Sequence, residues 1–189
     1  MRSFDPRRVG TLECRAWETY YRREWRAFLA ASVGMVRAAF RMPWRATLRG
    51  AWLVLRANQK WAPVPDNDPA AARRLMASFY RLLAASDPTA RFDPTRAAEL
   101  EVEWWRVHRA HQGGEEGFEA LVDAIADLYA YTYGTEREGV RPAAALRAEA
   151  MDVSDAWVAR GCSASDPELA RERALLVRSY AALLAAVHG

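Results

Sequence analysis

The residues best placed for chemistry lie in the run Glu101-Val-Glu-Trp-Trp-Arg-Val-His108-Arg-Ala-His111. Glu101 and His108 are spaced to fall two turns apart on one helix face. At about 100° per residue, Ala97, Leu100, Trp104, Trp105 and Val107 surround the pair, while Glu99, Glu103, Arg106 and Arg109 take the opposite arc. A carboxylate and an imidazole inside an apolar stripe are costly unless something pairs with them, and a metal ion is one such partner. Further acids fall inward by the same construction. Glu24 lies near the centre of the arc of Trp17, Tyr21, Phe28 and Met35, with Glu13 at its edge; Glu172 sits among Leu169, Leu176 and Tyr180; Glu149 borders Leu146 and Val153. Glu18 is expected to be exposed. Bundles that hold iron or manganese aim carboxylates inward from several helices, because hard cations take bridging carboxylates while histidine supplies nitrogen. The expected donor set is Glu24, Glu101, His108 and Glu172, around iron, manganese or zinc. His111 shares a face with His108 and could join it, although its place just before Gly113-Gly114 suits a helix C-terminal residue. The competing arrangement needs no metal: the acids pair with Arg49, Arg56, Arg160 or Arg173, and His108 hydrogen-bonds Glu101.

A second pattern belongs to another class of function. Arg45, Arg49, Arg56 and Lys60 recur along one flank of a segment whose apolar residues are Trp44, Leu48, Trp52 and Leu55. Such a basic stripe could meet anionic lipid, an acidic partner helix or phosphate, or serve as the solvated flank of a core helix. A net charge of only +3 argues against nucleic acid, as does the expectation that no exposed aromatics interleave with the stripe. No Gly-rich phosphate loop, His-Glu-x-x-His or Gly-x-Ser-x-Gly motif occurs.

The elements that must position these residues read as helices. The chain is 51% hydrophobic and 27% charged over 189 residues, an ordinary balance for one domain with a sizeable core. Asp-Pro punctuates it at Asp5, Asp68, Asp87, Asp93 and Asp166, each able to place a capping carboxylate before a proline in the first helical turn. Apolar residues between these breaks follow the helical period, and nothing alternates as a strand would. The fold expected is all-α, an irregular bundle of about seven helices in a single domain over 1–189, with residues 1–10 as a flexible N-terminal arm. Trp61 to Pro69, with three prolines, predicts a stiff connection that could rim a pocket. Cys14 and Cys162 show no paired spacing, which suits reduced thiols and a cytoplasmic location. No signal-peptide pattern or bilayer-length apolar run is present, so no transmembrane segment is expected.

Tyr20-Tyr-Arg-Arg-Glu-Trp25, Trp61 to Pro69 and Glu101 to Gln112 together resemble small helical proteins of high-GC actinobacteria, a resemblance that brings no known activity. The Glu-x6-His pair of Glu101 and His108 is similar to one element of the heme-oxygenase-like di-metal oxidases. That family also takes histidines from a His-x3-Asp-x2-His pattern on its final core helix, where this chain has only His188. Two functions are therefore expected. The first is a binding protein with a buried Glu/His/Arg cluster around Glu24, Glu101, Trp104, His108 and Glu172, taking a small-molecule ligand, a protein partner or a second copy. The other is a metal-dependent oxidase of a small organic substrate.

Overall fold

The computed structural model describes residues 3–189, which form eight helices and no strand. They are α1 (Pro6–Tyr21), α2 (Trp25–Phe40), α3 (Trp44–Trp61), α4 (Pro69–Ser86), α5 (Pro94–Gln112), α6 (Phe118–Tyr133), α7 (Arg137–Ala159) and α8 (Glu168–His188). Four of the five Asp-Pro pairs open helices. Asp5, Asp68 and Asp93 cap α1, α4 and α5 by accepting backbone N–H groups with their side chains, and Asp166 accepts from the N–H of Glu168 at the start of α8. Asp87 instead closes a turn, bonding the N–H and hydroxyl of Thr89.

The count exceeds seven because the segment expected to run from Trp17 to Met35 is two helices. Arg23 takes a left-handed conformation at φ 60°, and the N–H groups of Arg23 and Glu24 turn back onto the carbonyls of Tyr20 and Thr19 at 3.0 and 2.8 Å. No glycine or proline marks this break. Pro142 lies within the second turn of α7, which continues through it. The N-terminal arm expected over 1–10 is also corrected: α1 begins at Pro6, and Phe4 and Val9 are buried. Met1 and Arg2 lie outside the described residues.

Each helix packs on the helices before and after it in sequence, and α1 packs on α8, so the eight close into a ring. The core is filled mainly from α4, α5, α6 and α7, including Met76, Leu83, Val102, Trp104, Trp105, Leu121, Ile125 and Val140. α1 and α8 meet at backbone distance. A Cβ on Gly10 would stand 2.7 Å from the Val177 nitrogen, so only glycine fits there. The Trp61 to Pro69 connection does not line the main pocket, which lies between α1, α5, α7 and α8. Arg109 fastens it, donating to the Trp61 carbonyl at 3.0 Å with its guanidinium 4.4 Å from the Trp61 ring centre.

Candidate functional site

The polar interior lies where α1, α5, α7 and α8 converge. Glu13, Trp17 and Tyr21 come at successive turns of one face of α1. Arg147, Met151, Ser154 and Asp155 line one face of α7, opposed by Glu172 and Leu176 on α8 and by His108 on α5. Together they bound a small pocket, open to solvent on one side, with a cavity volume of about 20 Å³, enough for one or two water-sized groups. Trp17 and Tyr21 stack on each other at 6.3 Å, and Tyr21 meets Trp157 edge-on.

A buried ion pair forms one wall. Arg147 donates from both terminal nitrogens to the two oxygens of Glu13, and the Tyr180 hydroxyl donates to Glu13 Oε2 at 2.6 Å. The guanidinium also lies 5.6 Å from the Trp104 ring centre. Burial alone would push Arg147 toward its neutral form, but the Glu13 charge beside it holds its pKa well above the usual arginine value. Removing either partner would strand a buried charge, at a cost of about 3–5 kcal/mol. Inward carboxylates thus do pair with arginine, but the pair is Glu13 with Arg147. Of the arginines expected in that role, Arg160 bridges to Asp166, while Arg49 and Arg56 are exposed.

Glu172 is different. It is 2% exposed, and its Oε2 has no hydrogen-bond partner among the described residues; the Ser154 hydroxyl, 7% exposed, has none either. Both groups line the pocket. Burial, reinforced by the negative charges of Glu13, Glu18 and Asp155, pushes the Glu172 carboxyl up to about 8. At neutral pH it therefore holds a proton. Cys14, on the same side of the ring, is kept as a thiol, pushed up to about 12 by burial first and by Glu172 second.

Between α5 and α7 the polar contacts are paired. His108 Nε2 lies 2.9 Å from Asp155 Oδ2, and Gln112 donates to the other oxygen of Asp155 at 2.8 Å. His111 Nε2 lies 2.9 Å from Asp152, while its Nδ1 lies 3.1 Å from the Glu116 carbonyl. Two acceptors on one ring suit the imidazolium, which donates from both nitrogens. Desolvation opposes that charge, but the Glu116 carbonyl and Asp152 outweigh it and raise the His111 pKa.

The four expected metal donors do not converge. Glu24 is a correction: it stands at the α1–α2 break, half-exposed, with Arg22 at 2.8 Å and Arg15 at 3.7 Å. Its inward placement assumed a continuous helix through Arg23. Glu101 accepts from the Tyr80 hydroxyl at 2.7 Å, on the α4 side of its helix, rather than from His108. Burial raises its pKa against the opposing pull of Tyr80 and Arg147. Trp104 is buried on the Glu101 side, and its indole N–H makes no hydrogen bond of normal geometry among the described residues. His108 and Glu172 share the pocket but have separate surroundings, and no group of three or more His, Cys, Asp or Glu side chains among the described residues is arranged to hold a metal ion. Glu149 pairs with Arg171 at the surface, and Glu18, expected to be exposed, is largely covered and bonded to Arg15. Arg147, Ser154, Asp152 and Asp155 were missed because α7 carries polar residues on several sides. Their one common signal is the spacing of 147, 151, 154 and 155 on a helical face.

No family model, curated protein or solved structure matches this chain.

Proposed function

We propose that the protein binds a small amine-bearing ligand, as its ammonium ion, in the pocket between α1, α5, α7 and α8. The observation that carries this reading is the protonated Glu172 carboxyl lining the pocket, whose Oε2 has no hydrogen-bond partner among the described residues. A buried acceptor without a partner costs about 1–3 kcal/mol, which a donor arriving in the pocket would remove. A cation suits the surroundings better than a neutral donor: Glu13, Glu18 and Asp155 already disfavour a second negative charge on Glu172, and a positive ligand relieves that. Trp17 and Tyr21 offer aromatic faces, and the Ser154 hydroxyl offers a further acceptor. Arg147 does not repel such a ligand strongly, because Glu13 neutralises it at close range.

The pocket encloses only the ammonium group and about one further heavy atom, so the rest of a ligand lies in its open mouth. At no more than about 1.5 kcal/mol per non-hydrogen atom, a four-atom amine cannot bind more tightly than about 40 µM. The experiment is calorimetric titration with methylammonium, ethylammonium and ethanolamine, against ethanol and ethylene glycol as uncharged counterparts. At pH 7, in buffers of different ionisation enthalpy, amine binding should release close to one proton as Glu172 ionises. Glu172→Gln should keep the fold, lose the proton release and weaken the amine by about tenfold or more. Equal binding of amines and alcohols, or amine binding unchanged in Glu172→Gln, would refute the proposal.

A further inference from the structure

The large hydrophobic side chains exposed among the described residues all lie between Tyr20 and Val64. On α3, Trp44, Leu48 and Trp52 recur every fourth residue and are 59%, 55% and 59% exposed; on α2, Trp25 is 55% exposed and Leu29 is 49% exposed. The apolar arc of α3 thus faces outward, and the exposed aromatics expected to be missing beside the basic stripe are there. The inner side of α3 is made from small residues, with only Thr47, Gly50 and Ala57 buried. Gly50 sits against Met42 and Phe79, where a Cβ would be 3.2 and 3.3 Å from their side chains.

Charge is segregated onto the same segment. Between Trp25 and Pro65 there are seven Arg and Lys residues and no Asp or Glu, although the whole chain is nearly balanced at 27 against 24. Arg45, Arg49, Arg56 and Lys60 are exposed along the flank of the Trp44, Leu48 and Trp52 stripe, and none of them bridges to a carboxylate. Arg37 and Arg56 instead lie over the Trp44 and Trp52 rings, at 4.2 and 5.8 Å from their centres. A helix with Trp and Leu on one arc, cations on the next and no anion has the pattern of one that lies in the plane of a lipid headgroup layer. Among the described residues no helix is long and apolar enough to cross a membrane, so the contact would be lateral.

We infer that α3 docks on an anionic lipid bilayer, with Trp44, Leu48 and Trp52 among the headgroups and upper acyl chains, and with the flanking Arg45, Arg49, Arg56 and Lys60 against lipid phosphates and carboxylates. This rests on the surface alone and is independent of the pocket. A second copy is the poorer occupant, because a two-fold contact through this face would set two carboxylate-free cationic surfaces against each other. A nucleic acid would use the cations and stack on the tryptophans, but it gains little from Leu48, which acyl chains accept.

The test is flotation of the full chain with vesicles of phosphatidylcholine alone and of phosphatidylcholine containing about one-third phosphatidylserine, at about 0.05 and 0.5 M sodium chloride. The protein should float with the anionic vesicles at low salt and be released at high salt. Trp44→Ser with Trp52→Ser, and separately Arg45→Glu with Arg49→Glu, should each reduce the bound fraction by about tenfold or more at unchanged helicity, since all four side chains are exposed. Four results would overturn the inference: a parent that never floats; binding that neither pair of substitutions changes; a dimer in sedimentation that the tryptophan pair makes monomeric while flotation is absent; or retention by a single-stranded oligonucleotide without vesicle binding.

Discussion

Glu172 and His111 keep protons that free side chains would give up near neutrality, and this sets the direction in which pH acts on the fold. An ordinary glutamate releases its proton near 4.5, whereas the folded chain holds that of Glu172 to about 8. Across that window the folded state binds more protons than the unfolded one, so stability falls as pH rises and levels off above about 8. His111 acts in the same sense. Its bonds to Asp152 and Glu116 contribute fully below 6.5 and are lost as pH rises through its raised folded pKa. Urea denaturation should therefore show the protein more stable near pH 5.5 than near pH 8.5, with Glu172 supplying on the order of 3 kcal/mol of the difference. Glu172→Gln should remove most of that slope and leave the His111 part; a parent whose stability is flat or rises over this range would contradict the assignment. Glu172 was legible in the sequence because one helix's own periodicity puts it among Leu169, Leu176 and Tyr180. The partners were not: periodicity gives a face but not what stands opposite, so Glu13 with Arg147, His108 with Asp155 and Glu101 with Tyr80 became visible only when the helices were assembled.

Helix starts were the most legible elements, since an aspartate before a proline supplies both the cap and the fixed φ, and four of five such pairs open helices. The break after Tyr21 had no such mark. Arg23 takes the left-handed conformation that usually calls for glycine, and the strain of about 1–2 kcal/mol is carried by packing elsewhere. Pro142 stands past the first turn of α7, where it forfeits one i→i−4 hydrogen bond, and the helix nevertheless runs through it. The outward arc of α3 looked like a core stripe because periodicity cannot tell which side of an amphipathic helix faces a neighbour. The α1–α8 contact yields a sharp element-level test. Gly10→Ala would drive a methyl group into the α8 backbone at Val177, and neither helix can yield without disturbing the Glu13, Arg147 and Tyr180 cluster. A loss of about 2–3 kcal/mol in urea denaturation is expected. Gly139→Ala, where a Cβ meets nothing, is the control and should be neutral or slightly stabilising. Equal effects at the two glycines would mean that α1 and α8 are not in close contact.

At the scale of the whole molecule, seven of the eight joints in the ring connect neighbours in sequence, and only α1 on α8 spans nearly the full chain. Local pairs form at low entropic cost, while the closing joint pays for the longest loop. Pulse-labelled hydrogen exchange during refolding should accordingly protect amides in α4, α5 and α6 before those of α1; simultaneous protection of α1 in the first phase would show that closure does not come last. On the ribosome the same feature becomes a waiting time. Of the eight helices α1 is made before the rest but finds its α8 surface only after the other six, and until α7 follows, Glu13 has no Arg147 to pair with and stays hydrated. The polar centre is thus dried and assembled in the final act of folding. A chain stalled before α8 would carry an open ring, without Glu172 and without the pocket's α8 wall, so the pocket and the closed ring come into being together.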